Sequence, residues 1–119
     1  MVLALDPATR KTGFAIFDGK KLIHYGVLEE KDKDTLVRIS KMAKKIGALI
    51  ESYSIDEVVV EEVPPKRTSI QTLKSLYYLQ HSIILILRKY NITPEFLEVS
   101  RWRSLCKIRN EREVKREEE

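Results

Sequence analysis

The segment DEVVVEEV, residues 56–63, sets three consecutive valines between acidic residues. β-Branched side chains favour an extended backbone, and a run that does not alternate with polar residues has no face to give to water. The segment therefore predicts a strand buried on both faces, the place of a central, parallel strand in a layered α/β sheet. A parallel neighbour cannot be reached through a tight turn, so helical crossovers are expected around it. Before it, Leu36, Ile39, Met42, Ile46, Leu49, Ile50 and Tyr53 recur at three- and four-residue intervals, the period of an amphipathic helix starting near Asp34. Arg38, Lys41, Lys44 and Lys45 fall off that stripe and are expected to form its solvated face. After it, Pro64-Pro65 stop the strand, and a second helix is expected over residues 69–90, capped by Ser69 or Thr68. Its stripe is Ile70, Leu73, Leu76, Tyr77, Ile83, Ile84 and Leu87, but Leu79, Leu85 and Ile86 make the second half apolar nearly all round. Such a helix needs two neighbours. One is the sheet, and the other is expected to be a second copy of the chain in a homodimer.

Toward the N-terminus, residues 2–5 and 14–17 read as short apolar strands. Asp18-Gly19 is a two-residue hairpin signal, after which residues 21–28 pair back. ITPEFLEV forms a last strand with Pro94 at its start, and SRWRSLCKI, from Ser100, reads as a short helix. The chain order is β-β-β-α-β-α-β-α, an α/β layer fold in which a hairpin opens the chain and helical crossovers follow. At 119 residues this makes a single domain, residues 1–119. Cys106 is the only cysteine, which excludes an internal disulfide or a Cys-rich zinc site and favours a reducing compartment. No 18-residue apolar segment occurs, and MVLALDP has neither a basic leader nor a cleavage site, so a cytoplasmic protein with no membrane span is expected.

Two of these strands end in acids. Asp6 closes the first, and Glu61-Glu62 close the valine strand. If the strands lie side by side and parallel, both acids emerge at one carboxyl edge, where open α/β sheets place their sites. Two neighbouring carboxylates repel one another, and a divalent cation between them removes that cost. The pair therefore suggests Mg²⁺ or Mn²⁺ held by hard oxygen ligands. The competing reading of Asp6 is a turn acid, because Asp-Pro is itself a turn former. Of Glu61 and Glu62 only one can face the site, and Glu61 is the expected one. The net charge of +4 makes polyanions plausible partners, and its placement says more than its size. Arg10 and Lys11 follow Asp6, while Lys66, Arg67 and Lys74 follow Glu61, so both basic clusters border the acids and are expected to neutralise nucleic-acid phosphates. Trp102, between Arg101 and Arg103, reads as a hydrophobic anchor, and His24 and His81 as structural.

LALDPATRKTGFAIF, residues 3–17, resembles the first motif of the RuvC group of Holliday-junction resolvases, within the RNase H-like nuclease superfamily: an apolar strand, Asp-Pro, a small residue, Ser or Thr, Arg, then Thr-Gly and an aromatic. VVVEEV resembles the second motif, a valine-rich strand that delivers a glutamate. The long helix after it and PEFLEVSRWRSLC fit the same order. The resemblance implies a mixed five-stranded sheet flanked by helices, with Asp6 and Glu61 as catalytic, metal-binding acids. It further implies two Mg²⁺ ions, replaceable by Mn²⁺, that hydrolyse a phosphodiester in four-way or branched DNA, and a homodimeric enzyme. That group draws its remaining acids from a C-terminal helix with two aspartates three residues apart, whereas the last aspartate here is Asp56. The expectation is a C-terminally truncated form, or else a reduced relative with other ligands. Pro64 stands where bacterial members carry an aromatic that contacts bases, and Ala8 where glycine is commoner. Tyr77 or Tyr78 are candidate stacking residues, although tyrosines on a helical stripe are expected in the core. Two competing functions are a YqgF-type RNA-processing nuclease and a module that binds branched DNA without cutting it.

Overall fold

The structure, a computed structural model, describes residues 1–63 and 69–98. The elements are β1 (Val2–Asp6), β2 (Lys11–Asp18), β3 (Lys21–Glu29), α1 (Thr35–Ser52), β4 (Glu57–Glu61), α2 (Ile70–Arg88) and β5 (Glu95–Leu97). They form one five-stranded sheet in the order β3-β2-β1-β4-β5. β1 pairs antiparallel with β2 and β2 with β3, whereas β4 pairs parallel with both β1 and β5. The expected mixed sheet is therefore present, with the valine strand beside β1 and parallel to it. The expected helix from Ser100, with Trp102 and Cys106, lies outside the described residues, as do Pro64, Pro65 and Thr68.

The core lies on one face of the sheet. Leu3 and Leu5 of β1, Ile16 of β2, and Val58 and Val60 of β4 meet Ile39, Met42, Ile46 and Ile50 of α1 and Leu79, Ile83 and Leu87 of α2. Each such side chain, once buried, contributes about 1.5–3 kcal/mol relative to exposure. Val59 points to the opposite face and is only half-buried, so the valine strand is fully covered on one side rather than two. The two helices touch through Gly47, where a Cβ would sit 3.4 Å from the Ile86 side chain. Helix α1 starts where expected, and Asp34 caps it: its carboxylate accepts from the backbone N–H of Leu36 at 3.0 Å and of Val37 at 3.1 Å. Ser69 caps α2 by accepting from Thr72 N–H at 3.1 Å. The β2–β3 turn differs by one residue from the hairpin signal, because Asp18 still pairs with Lys21 and the loop is Gly19-Lys20, with Gly19 at φ 58°.

Three expectations about the helices fail. Arg38 is not on a solvated face but 5% exposed, because the i+4 row that carries Met42, Ile46 and Ile50 begins with it. Leu36 and Ile70, counted on the apolar stripes, lie in first turns that overhang the sheet and are 66% and 74% exposed. Tyr77 and Tyr78 are not in the core; both are about half exposed, since α2 turns Leu79, Ile83 and Leu87 inward instead. His24 and His81, read as structural, are both exposed; the ring of His24 stacks on Tyr53 and tilts against Phe14.

Candidate functional site

The parallel register of β1 and β4 sets Leu5 opposite Val60, each the penultimate residue of its strand. The next step along both strands brings Asp6 and Glu61 to adjacent strand ends at the same carboxyl edge. Side chains alternate along a strand, and Leu3, Leu5, Val58 and Val60 all point into the helix-covered core. Asp6 and Glu61 therefore share the opposite face. Helices of the core layer cannot hide them, and Asp6 is exposed while Glu61 is half-buried. Gly13 lies opposite Asp6 on β2, and a Cβ placed there would meet the Cβ of Asp6 at 3.7 Å. Glycine at that position leaves open the space beside the carboxylate.

Glu62 is turned the other way. Its backbone N–H donates to Leu97 O at 2.7 Å, continuing the β4–β5 ladder. Its carboxylate accepts from Val63 N–H at 3.2 Å and lies 3.5 Å from the amide nitrogen of Gln80 on α2. The two adjacent glutamates thus serve different faces, one the open edge and the other the helix layer.

The loop between β1 and β2 is held from three sides. Thr12, fully buried, donates its hydroxyl to Ala8 O at 2.7 Å and accepts from Ala8 N–H at 3.2 Å. Arg38 donates Nε and Nη2 to the hydroxyl oxygen of Thr9, each at 3.2 Å, and Nη1 to Asp32 O at 2.9 Å. Glu30 N–H donates to Arg10 O at 2.9 Å. The segment between β3 and α1 is fixed in turn by ion pairs from α1, Lys41 to Asp32 at 3.0 Å and Lys45 to Glu30 at 3.2 Å. The bond from Lys41 holds the Asp32 carboxyl below its ordinary value, and the bond from Lys45 does the same for Glu30. None of Thr9, Thr12 and Arg38 was singled out from the sequence. The available signals were the Thr-Gly of the first motif and the helical i+4 row through Arg38.

Of the basic residues, Arg10 is exposed in this clamped loop. Lys11, also exposed, opens β2 two residues before Gly13 and so shares the face of Asp6. Lys74 is exposed on α2, and no described contact joins it to the acids. Lys66 and Arg67 lie outside the described residues. Hard carboxylate oxygens at adjacent strand ends suit a divalent cation, but among the described residues no group of three or more His, Cys, Asp or Glu is arranged to hold one. Among the same residues no helix is long and apolar enough to cross a membrane.

No protein-family model matches the chain. The crossover junction endodeoxyribonuclease RuvC of Helicobacter hepaticus is 31% identical over 68 residues, covering 52% of this chain and 37% of that protein. RuvC of Geotalea uraniireducens is 31% identical over 67 residues, covering 52% and 39%. The chain thus spans well under half the length of these curated relatives. Among solved structures, Thermus thermophilus RuvC in complex with a Holliday junction substrate superposes with a TM-score of 0.75 at 12% identity, over 87% of this chain and 67% of that one. The yeast mitochondrial Holliday junction resolvase Ydc2 gives 0.59 at 14% identity, over 87% and 54%. Over about half its length the chain is similar in sequence to RuvC crossover junction endodeoxyribonucleases, and its mixed sheet with helices has the fold of the solved RuvC and Ydc2 structures.

Proposed function

We propose that residues 1–119 form a single nuclease domain that cuts Holliday junctions and other branched DNA in the cytoplasm, with Asp6 and Glu61 as its catalytic, metal-holding acids. The observation that carries the reading is the convergence of these two carboxylates on one face of one strand edge, beside a glycine and next to a basic loop. Asp6 and Glu61 would hold Mg²⁺, or Mn²⁺ in its place. When bound, the cation supplies Lewis-acid activation of water and charge stabilisation at the leaving oxygen. The chain's own residues orient and neutralise. Asp6 and Glu61 fix the place of attack, while Arg10 and Lys11, with Lys66, Arg67 and Lys74, offset phosphate charge without reading bases.

A homodimer suits a four-way junction, whose two-fold symmetry presents two strands to two sites. Support comes from α2, whose outward stripe carries Ile70, Lys74, Tyr77, Tyr78, His81 and Leu85 within about 100° of the helix circumference, where a solvated helix would carry mostly charge. A second reading, a module that grips branched DNA without cutting, is favoured by the absence of a third metal-ligating side chain beside the pair among the described residues.

The test is nicking of a synthetic four-way junction in Mg²⁺, with Asp6→Asn in parallel and structured RNA as a competing substrate. The reading expects cleavage of the junction that Asp6→Asn abolishes. Tight junction binding without turnover in Mg²⁺ or Mn²⁺ selects the binding module, preferential cutting of RNA selects an RNA-processing nuclease, and unchanged cleavage by Asp6→Asn removes that residue from the site.

A further inference from the structure

We infer that Thr9 is a phosphate-binding residue of the β1–β2 loop, its hydroxyl set by Arg38 to donate a hydrogen bond to a phosphodiester oxygen beside Asp6. The inference rests on the nucleic-acid reading above and deepens it. Arg38 presents one edge of its guanidinium, Nε and Nη2, to the single hydroxyl oxygen of Thr9 at 3.2 Å each. A guanidinium only donates, so both lone pairs of that oxygen are taken and the hydroxyl hydrogen must point away from Arg38. No acceptor among the described residues receives it. Thr9 is half-buried and directly precedes the exposed Arg10. It leaves a directed donor, three residues from Asp6, in a loop whose backbone is held at Ala8 by Thr12 and at Arg10 O by Glu30 N–H.

The loop is also held against displacement. Thr12 closes it on Ala8, and the Asp32 carbonyl anchors the far end of the guanidinium. Arg38 is 5% exposed, so it cannot reach DNA itself; it is a positioning residue that acts through Thr9. A long basic side chain neutralises a phosphate from many positions, whereas a clamped hydroxyl accepts only one. Thr9 therefore fixes the register of the strand that Arg10 and Lys11 attract.

The test uses the full chain, a four-way junction, a linear duplex and a structured RNA of equal charge, and a scan of the junction in which single phosphates are replaced by methylphosphonate. Thr9→Val is expected to weaken nucleic-acid binding about tenfold, the worth of a hydrogen bond to a charged group, and Thr9→Ser to restore it. Because Thr9 is neutral, the dependence of binding on salt stays that of the wild type, while Arg10→Ala lowers the slope by about one. At one methylphosphonate position the wild type and Thr9→Val become equal. Thr9→Val strands a buried guanidinium edge, so Thr9→Val/Arg38→Met, which removes that edge too and gives up only the Nη1 bond to Asp32 O, is measured as well and is expected to lose the same contact while remaining folded. The inference is overturned if the folded variants bind like the wild type, or if the loss is equal at every methylphosphonate position. A Thr9-dependent loss seen on duplex or RNA, with no preference for the junction, supports Thr9 and sinks the junction reading alone. A folded wild type that binds no nucleic acid sinks both.

Discussion

The two glutamates at the end of β4 separate sharply at the scale of single residues. Glu61 follows the alternation that turns Val59 outward, whereas Glu62 is engaged with Val63, Leu97 and the Gln80 amide. Glu61→Gln is therefore expected to lower Mg²⁺-dependent junction cleavage by about 100-fold or more, as loss of a metal-holding group does, and to leave the melting temperature close to wild type. Glu62→Gln keeps a carbonyl oxygen for the Val63 N–H and for Gln80, and its cleavage rate is expected to stay within a few-fold. Parallel single-turnover assays check the pair, and equal losses would mean that both glutamates serve the open edge. The two-residue period of a strand allowed only one of the two to face the site, and Glu61 was the expected one. What the sequence did not disclose is the use made of Glu62, because its partners come from elements 18 and 35 residues away. Arg38 escaped for a different reason. Its charge marked it as solvent-facing, while its spacing from Met42, Ile46 and Ile50 marked it as inward, and the spacing decides. A buried arginine is affordable there because Thr9 and the Asp32 carbonyl accept its hydrogens.

For whole elements, the strands and helices were legible because each carries its own period, and the neighbours of a helix were not. A helix starting near Asp34 was legible from spacing, but nothing local announces its cap geometry or that Gly47 faces Ile86. That contact makes an asymmetric prediction. A methyl at position 47 reaches Ile86 at 3.4 Å, ordinary van der Waals contact, and alanine gains helix propensity over glycine. Gly47→Ala should stabilise by about 0.5–1 kcal/mol in urea denaturation, whereas Gly47→Leu should force α1 and α2 apart and destabilise by about 1–3 kcal/mol. If the alanine variant is the less stable, the helices lie closer than this contact implies. The connection before α1 predicts a pH dependence. Lys41 holds the Asp32 carboxyl below its ordinary 3.8, and Asp32 holds Lys41 above its ordinary 10.5. A depressed carboxyl stabilises the fold fully above its ordinary value, and the gain disappears as pH falls through the depressed one. The raised amine is the converse, losing its contribution only as pH rises beyond 10.5. The pair is exposed and its effect small, so the test is differential: the gap in urea midpoint between wild type and Asp32→Asn should be constant from about pH 5 to 9 and close below the ordinary carboxyl range. A gap that persists in acid would mean that something other than the Asp32 charge separates the two proteins, since Asn keeps the oxygen that accepts from Asp34 N–H.

Taken as a molecule, the chain places both helices on one face of the sheet and both acids on the other, so the core and the candidate site do not compete for the same surface. That division leaves the outer side of α2 free of any duty to the core, yet it is not polar. The homodimer was expected from the apolar second half of α2, and the structure moves the argument to a stripe that runs the length of the helix. Tyr77, Tyr78 and Leu85 are each about half exposed, Ile70 more so, with Lys74 and His81 between them. Aromatic side chains with polar tips are favoured at interfaces, and a two-fold axis across α2 would set each stripe against its own copy. Sedimentation equilibrium is expected to give twice the 13.9 kDa chain mass. Leu85→Glu should weaken dimerisation at least about tenfold by placing like charges across the axis, with unchanged circular dichroism because Leu85 contributes little to the monomer's core. The same variant should still bind one arm of a four-way junction but lose paired nicking of its two strands, because each site then acts alone. A wild type that remains monomeric at tens of micromolar, or a Leu85→Glu dimer as tight as wild type, would move the interface off α2 and leave the exposed tyrosines for contact with unpaired bases.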